Sequence, residues 1–232
     1  RLVGSEMCIR DSNKSTTYSG AIQDSWSSTG NVAITKVGTG TLTLTGANTY
    51  TGGTTLNAGV LNVGSTGALG TTGTISFGGG TLQYSAANTT DYSLRFSTAV
   101  NQAYIIDTNG QNVTFVRSLS SSGGTLTVMD TSGYTGTSLT LSGYNTYTGA
   151  TMVSSGTLRA GSATGFSSNS AFTVASGAIL DIYGFSVTVG SLAGAGTVQN
   201  GAYNSTPVSL TTGGDNTSTT FSGVIQDSAR SV

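Results

Sequence analysis

The chain has 232 residues, of which 7% are charged, with a net charge of −1 and 35 glycines. Ordinary soluble domains carry roughly 25% charged residues, so solubility here rests on hydroxyls and amides, and nothing attracts nucleic acid or an anionic lipid surface electrostatically. A single proline and no strict third-residue glycine exclude collagen, and an apolar content of 36% set in alternation excludes a disordered chain.

Residues 1–12, RLVGSEMCIRDS, hold the only cysteine, Cys8, and the only glutamate, Glu6, and show neither repeat nor alternation. They resemble a translated sequencing adapter: the bases CTC GTG GGC TCG GAG ATG TGT ATA AGA GAC read as Leu2 through Asp11 without a gap. Residues 1–12 are therefore expected to be foreign to the protein. The remainder has no cysteine, so stability must come from backbone ladders and stacking rather than disulfides. No run of 18 apolar residues occurs, and direct membrane insertion as a helix is not expected.

From Thr16 onward the chain reads as short strands with glycine punctuation. Thr16–Ser25, TTYSGAIQDS, comes first and returns 203 residues later as TTFSGVIQDS at Thr219–Ser228. Period-two alternation follows at Thr41–Thr45, Val60–Val63, Thr81–Tyr84, Thr125–Val128, Ser138–Leu141 and Ser186–Val189, each with an apolar and a hydroxyl face. Gly46-Ala47-Asn48, Gly78-Gly79-Gly80, Ser122-Gly123-Gly124 and Gly194-Ala195-Gly196 separate the pieces. Leu42–Ser65 returns after 97 residues as Leu139–Ser162, with fourteen of twenty-four positions identical, among them the turn Asn-Thr-Tyr-Thr-Gly.

Repetition of this kind marks a solenoid, whose units bury their apolar faces only against one another. Equivalent apolar positions are expected at Leu42, Leu61, Leu82, Ile105 and Leu126, then, after an irregular 13, at Leu139, Leu158, Ile179 and Val198. The predicted fold is all-β, a parallel β-helix with about 20 residues per rung. On that period 97 residues make five rungs and 203 make ten, and eleven or so rungs span roughly 50 Å at ~4.8 Å each. A membrane barrel would need strands of ~9–11 residues with aromatic girdles, and a sandwich has no reason to repeat across 97 residues.

The chemistry-bearing residues are few. There is no histidine, and beyond residue 12 no cysteine or glutamate, so Ser-His-Asp and Cys-His catalysis and a His or Cys zinc site are excluded. No catalytic, cofactor-binding or metal-binding residue is assigned, no cofactor is expected, and the chain is not read as an enzyme. The one arrangement worth weighing is Asp107 and Asp130, one generous rung apart and so able to meet on adjacent turns, as paired carboxylates that cut polysaccharides do. The competing reading places both in turns, beside Thr108-Asn109-Gly110 and Thr131-Ser132-Gly133, where aspartate caps its own backbone. Thr41-x-Thr43-x-Thr45 and Thr125-x-Thr127 suggest an ice-binding face, which Asn62 and Gln83 interrupt. Tyr50 and Tyr147 share one place in their turns, and Tyr18 returns as Phe221; the exchange favours a ring that packs over a hydroxyl that recognises.

The string LTLTGANTYTGGTTLNAGVLNVG at Leu42–Gly64 resembles the autotransporter-associated β-strand repeat of bacterial autotransporter passenger domains, and Leu139–Gly161 carries the same likeness with more substitutions. The resemblance implies a right-handed parallel β-helix at the cell surface of a Gram-negative bacterium, or secreted from it, exported through a C-terminal outer-membrane barrel that this chain does not contain. It implies an adhesive or stalk role, with a host-surface or carbohydrate ligand as partner. Residues 13–232 are then one β-helix fragment of a longer passenger.

Overall fold

The computed structural model describes residues 7–10, 13–25, 30–202 and 207–227, with backbone alone at 7–10; the rest of the predicted adapter, residues 1–6 and 11–12, lies outside the described residues. The first strands are β1 (Met7–Arg10), β2 (Thr16–Tyr18), β3 (Ile34–Val37), β4 (Thr41–Leu44), β5 (Thr54–Leu56), β6 (Val60–Val63) and the nine-residue β7 (Ile75–Gln83). After a 3-10 turn at Ser93–Arg95 come β8 (Ala103–Asp107), β9 (Val113–Phe115), β10 (Thr125–Met129), β11 (Ser138–Leu141), β12 (Thr151–Val153) and β13 (Thr157–Ala160). The last are β14 (Ala171–Val174), β15 (Ile179–Asp181), β16 (Val187–Thr188), β17 (Ser191–Gly194), β18 (Thr197–Asn200), β19 (Leu210–Thr211) and β20 (Val224–Asp227).

Every strand-to-strand pairing is parallel, which is the expected β-solenoid. A long sheet begins as two branches, β1-β3-β5 and β2-β4-β6, which both pair with β7 and continue as β8-β10-β12-β14-β17. A second sheet runs β9-β11-β13-β15-β18-β20. From β2 to β17 there are eight pairing steps, and an isolated bridge from Gly194 to Phe221 adds a ninth. The solenoid thus has about eight turns of about 22 residues, not eleven of 20, and eight steps at ~4.8 Å make about 38 Å.

Alternation turns more than one register row of each sheet inward. Leu42, Leu61, Leu82, Ile106, Val128, Val153 and Val174 are successive register partners, all at most 2% exposed. In the second sheet one such row is Val113, Leu139, Leu158, Leu180, Val198 and Ile225. Three expected positions shift: Ile106 and Leu180 are buried where Ile105 and Ile179 were expected, these two being only partly buried, and Val128 continues the row in place of Leu126, which is buried beside Tyr104. One residue of slip exchanges the faces of a strand. The irregular 13 is resolved as well, because Leu126 and Leu139 lie on β10 and β11 in different sheets.

The register of the long sheet changes at β7. Ile75–Phe77 pairs with β5 and Thr81–Gln83 with β6, so one strand passes from branch to branch through Gly78-Gly79-Gly80. Gly79 has φ +122, which side chains rarely adopt, and a Cβ on Gly80 would approach the Leu56 carbonyl carbon to 3.0 Å. The register with β8 shifts at this point. Aromatic rings fill the wider turns around it: Phe77 meets Phe96 at 4.9 Å and Tyr104 at 5.2 Å, and Phe96 meets Phe115 at 5.1 Å, with rings near perpendicular.

The two copies at the shorter offset are therefore shared out differently between the sheets, although β5 and its copy β12 both lie on the long one. β4 and β6 belong to the long sheet, whereas their copies β11 and β13 belong to the second. Thr54 of β5 and Thr151 of β12 are four pairing steps apart, not five.

Candidate functional site

The site is a surface built from what the turns do with their polar side chains. On the outer face of the long sheet, register places Thr43 beside Asn62, Asn62 beside Gln83 and Gln83 beside Asp107. Asn62 Nδ2 donates to Gln83 Oε1 at 2.8 Å, and Gln83 Nε2 to Asp107 Oδ2 at 2.8 Å. This amide ladder ends on a carboxylate, and it interrupts the threonine face as expected. Thr127 stands between Ile105 and Met152, so the second Thr-x-Thr is not continued either. The ladder was missed from sequence because its members are 21 and 24 residues apart.

Asp107 and Asp130 lie one turn apart and act in the turns. Asp107 Oδ1 accepts from the N–H of Asn109 at 2.9 Å and of Thr131 at 3.1 Å, and its Oδ2 from Thr131 Oγ1 at 2.6 Å. Asp130 Oδ1 accepts from the N–H of Gly110 and Ser132 at 3.0 and 2.9 Å and from Ser132 Oγ at 2.5 Å; its Oδ2 accepts from Thr108 Oγ1 and Thr137 Oγ1. Each caps its own turn and joins the neighbouring one. Burial opposes charge on Asp130, but the bonds from Ser132, Thr137 and Thr108 prevail and hold its carboxyl below the usual range.

Two cations serve similarly. Arg95 donates to the carbonyls of Leu69, Gly70, Thr72 and Gly73, closing a loop one turn away. Arg159 Nε lies 3.1 Å from Oδ2 of the buried Asp181, its guanidinium 4.2 Å from the Tyr183 ring centroid. Among the described residues no group of three or more His, Cys, Asp or Glu could hold a metal ion.

Tyr50 and Tyr147 are fully buried, as expected of packing rings, yet their hydroxyls are engaged. Tyr50 bonds Thr54 at 2.7 Å and Tyr147 bonds Thr151 at 2.6 Å, so hydroxyl and ring both matter at these sites. The exposed rings are others. Tyr134 is 73% exposed beside a groove of about 210 Å³ that Thr137, Ser155 and Ile179 help to line. Tyr144 is 66% exposed beside one of about 180 Å³ with Thr146, Thr164 and Asn169. Tyr144 replaces Ala47 of the first copy, the one sequence signal that could have singled it out.

Residues 34–63 and 137–160 match the family model described as passenger-associated-transport-repeat. Both stretches are repeats of autotransporter passengers. They coincide with β3–β6 and with β11–β13. A curated protein named adhesin BmaC autotransporter, from Brucella suis, is 45% identical over 67 residues, or 28% of this chain. That stretch spans 2% of the length of the adhesin. Autotransporter passengers are surface-exposed or secreted in Gram-negative bacteria. No solved structure matches.

Proposed function

We propose that this chain is an extracellular β-solenoid segment of an autotransporter passenger, acting as a stalk that also offers contact surfaces along its length. The observation that carries this reading is the use of polar side chains: Asp107, Asp130, Asp181 and Arg95 spend their bonding capacity on joining turns. A rod so joined holds its length, and repeated shallow grooves suit weak, multivalent contact. In the full-length protein a C-terminal outer-membrane barrel anchors or releases the segment, and residues 1–12 are not part of the native passenger. The nearest contact candidates are the grooves beside Tyr134 and Tyr144, with carbohydrate or host-surface material as ligand, since exposed rings flanked by hydroxyls and amides fit sugars. The segment has no catalytic role.

The test displays residues 13–232 from an outer-membrane barrel and measures both reach from the surface and adhesion to glycan-coated beads. Replacing Tyr134 and Tyr144 together by Ser should reduce adhesion without shortening the reach. Unchanged adhesion would leave the stalk alone, and polymer cleavage lost in Asp107→Asn would overturn the non-enzymatic reading.

A further inference from the structure

The longer internal copy differs in kind from the shorter one. Tyr18, on β2, and its counterpart Phe221, bridged to Gly194, lie on the same sheet nine pairing steps apart, so the longer offset brings the chain back to the same face. The backbone agrees: Asn13 has φ 58, and Asn216, which holds the matching place before the second copy, has φ 57.

At the first of these positions the residues that hold the following turn are all visible. Asn13 Oδ1 accepts from the N–H and hydroxyl of Thr39. Ser15 Oγ accepts from Thr41 N–H, and the Tyr18 carbonyl from Thr45 N–H. Ile22 N–H donates to Asn48 Oδ1 while its carbonyl accepts from Thr49. Asp24 accepts from Val32 N–H and from the N–H and hydroxyl of Thr51. The last turn presents their counterparts in the same order: Asn216, Ser218, Phe221, Ile225 and Asp227. Ile22 is fully buried under its following turn, whereas Ile225, the last member of the inner row of the second sheet, is 68% exposed.

We propose that the last turn is a docking face for a further solenoid turn with the spacing of Val32–Thr51, joined in cis after Asp227, and that the stretch from Ser25 to Asp227 is one unit of an in-phase tandem. The occupant follows from the internal copy, whose five holding residues recur on the exposed face. The inference concerns folding alone, so it and the adhesive reading can fail separately.

The test is a tandem in which residues 25–232 follow Asp227 of the full chain directly. In hydrogen exchange the Ile225 amide should slow to the rate of the Ile22 amide, with one cooperative thermal transition above that of the single chain. Asn48→Ala in the second block alone should restore fast exchange at Ile225 and leave Ile22 of the first block protected. Two independent transitions with a fast Ile225 amide would overturn the proposal. So would a tandem that fails to fold where the single chain folds, or an Asn48→Ala change that leaves Ile225 protected.

Discussion

Asn48 and Asn145, equivalent residues of the two shorter-offset copies, make the same two bonds at the same two distances along the chain. Each side-chain oxygen accepts from an N–H 26 residues earlier, that of Ile22 or Leu119, and each amide donates to a carbonyl 20 residues later, that of Ala68 or Gly165. Both are buried, so each joins three successive turns out of contact with water.

Replacing either asparagine by alanine should therefore strand one buried donor and one buried acceptor. At ~1–3 kcal/mol for each unsatisfied group the loss is about 2–6 kcal/mol, read as a lowered denaturant midpoint with unchanged slope. A loss below about 0.5 kcal/mol would show that water or a backbone shift replaces the bonds.

The tyrosine–threonine pairs predict an asymmetry. Thr151 Oγ1 also meets Ser170 Oγ at 2.8 Å, so Tyr147→Phe leaves it a partner. Thr54, 2% exposed, has Tyr50 as the hydroxyl partner described. Tyr50→Phe should cost about 1–2 kcal/mol and Tyr147→Phe about half as much, measured by chemical unfolding.

Stability should be flat between about pH 5 and 8, since the chain has no histidine. The Asp130 carboxyl titrates below its usual value when folded, so its contribution is present above the unfolded pKa near 3.8 and is lost as pH falls through the lower folded value. In alkali the sign reverses. Burial raises Tyr50 and Tyr104 to about 12, and Tyr84 and Tyr147 are raised too. An acid raised in the fold stabilises fully below its unfolded pKa of 10.0 and loses that contribution as pH climbs toward the folded value. Circular dichroism should show cooperative unfolding that begins near pH 10 and coincides with tyrosinate absorbance; tyrosinate forming with the fold intact would contradict it.

Arg95→Ala should release the loop at residues 69–73 from the turn that carries Ser93–Arg95. Limited proteolysis ought to cut there first, with a global cost of about 1–2 kcal/mol. Arg95→Lys should rescue little, because one ammonium cannot span the carbonyls of Leu69, Gly70, Thr72 and Gly73 that the planar guanidinium reaches together.

The strands themselves were legible, because a half-buried strand writes its alternation into adjacent residues, as at Thr41–Leu44 and Val60–Val63. Sheet membership was not. Leu42 and Leu139 sit in almost the same words of sequence, and what separates their faces is a strand crossing at Gly78-Gly79-Gly80, well downstream of the first and well upstream of the second. That choice is made by pairing partners and by the ring cluster around Phe96, neither of which leaves a local signature. The turn-capping reading of Asp107 and Asp130 was available because Asp followed by Thr or Ser and Gly is short-range chemistry. Nothing in the lone Tyr134 tells whether it points inward or out, and Tyr144 was marked only by standing where the first copy has Ala47.

The two internal copies also set the step sizes in which the coding sequence can change length. Unequal recombination favours matching stretches, and the chain offers two registers for it. An exchange at the shorter offset would remove or add four pairing steps of the long sheet, counted from β5 to β12, and one at the longer offset nine, counted from Tyr18 to Phe221. The reach of the rod can therefore grow or shrink by either step without a new strand having to arise.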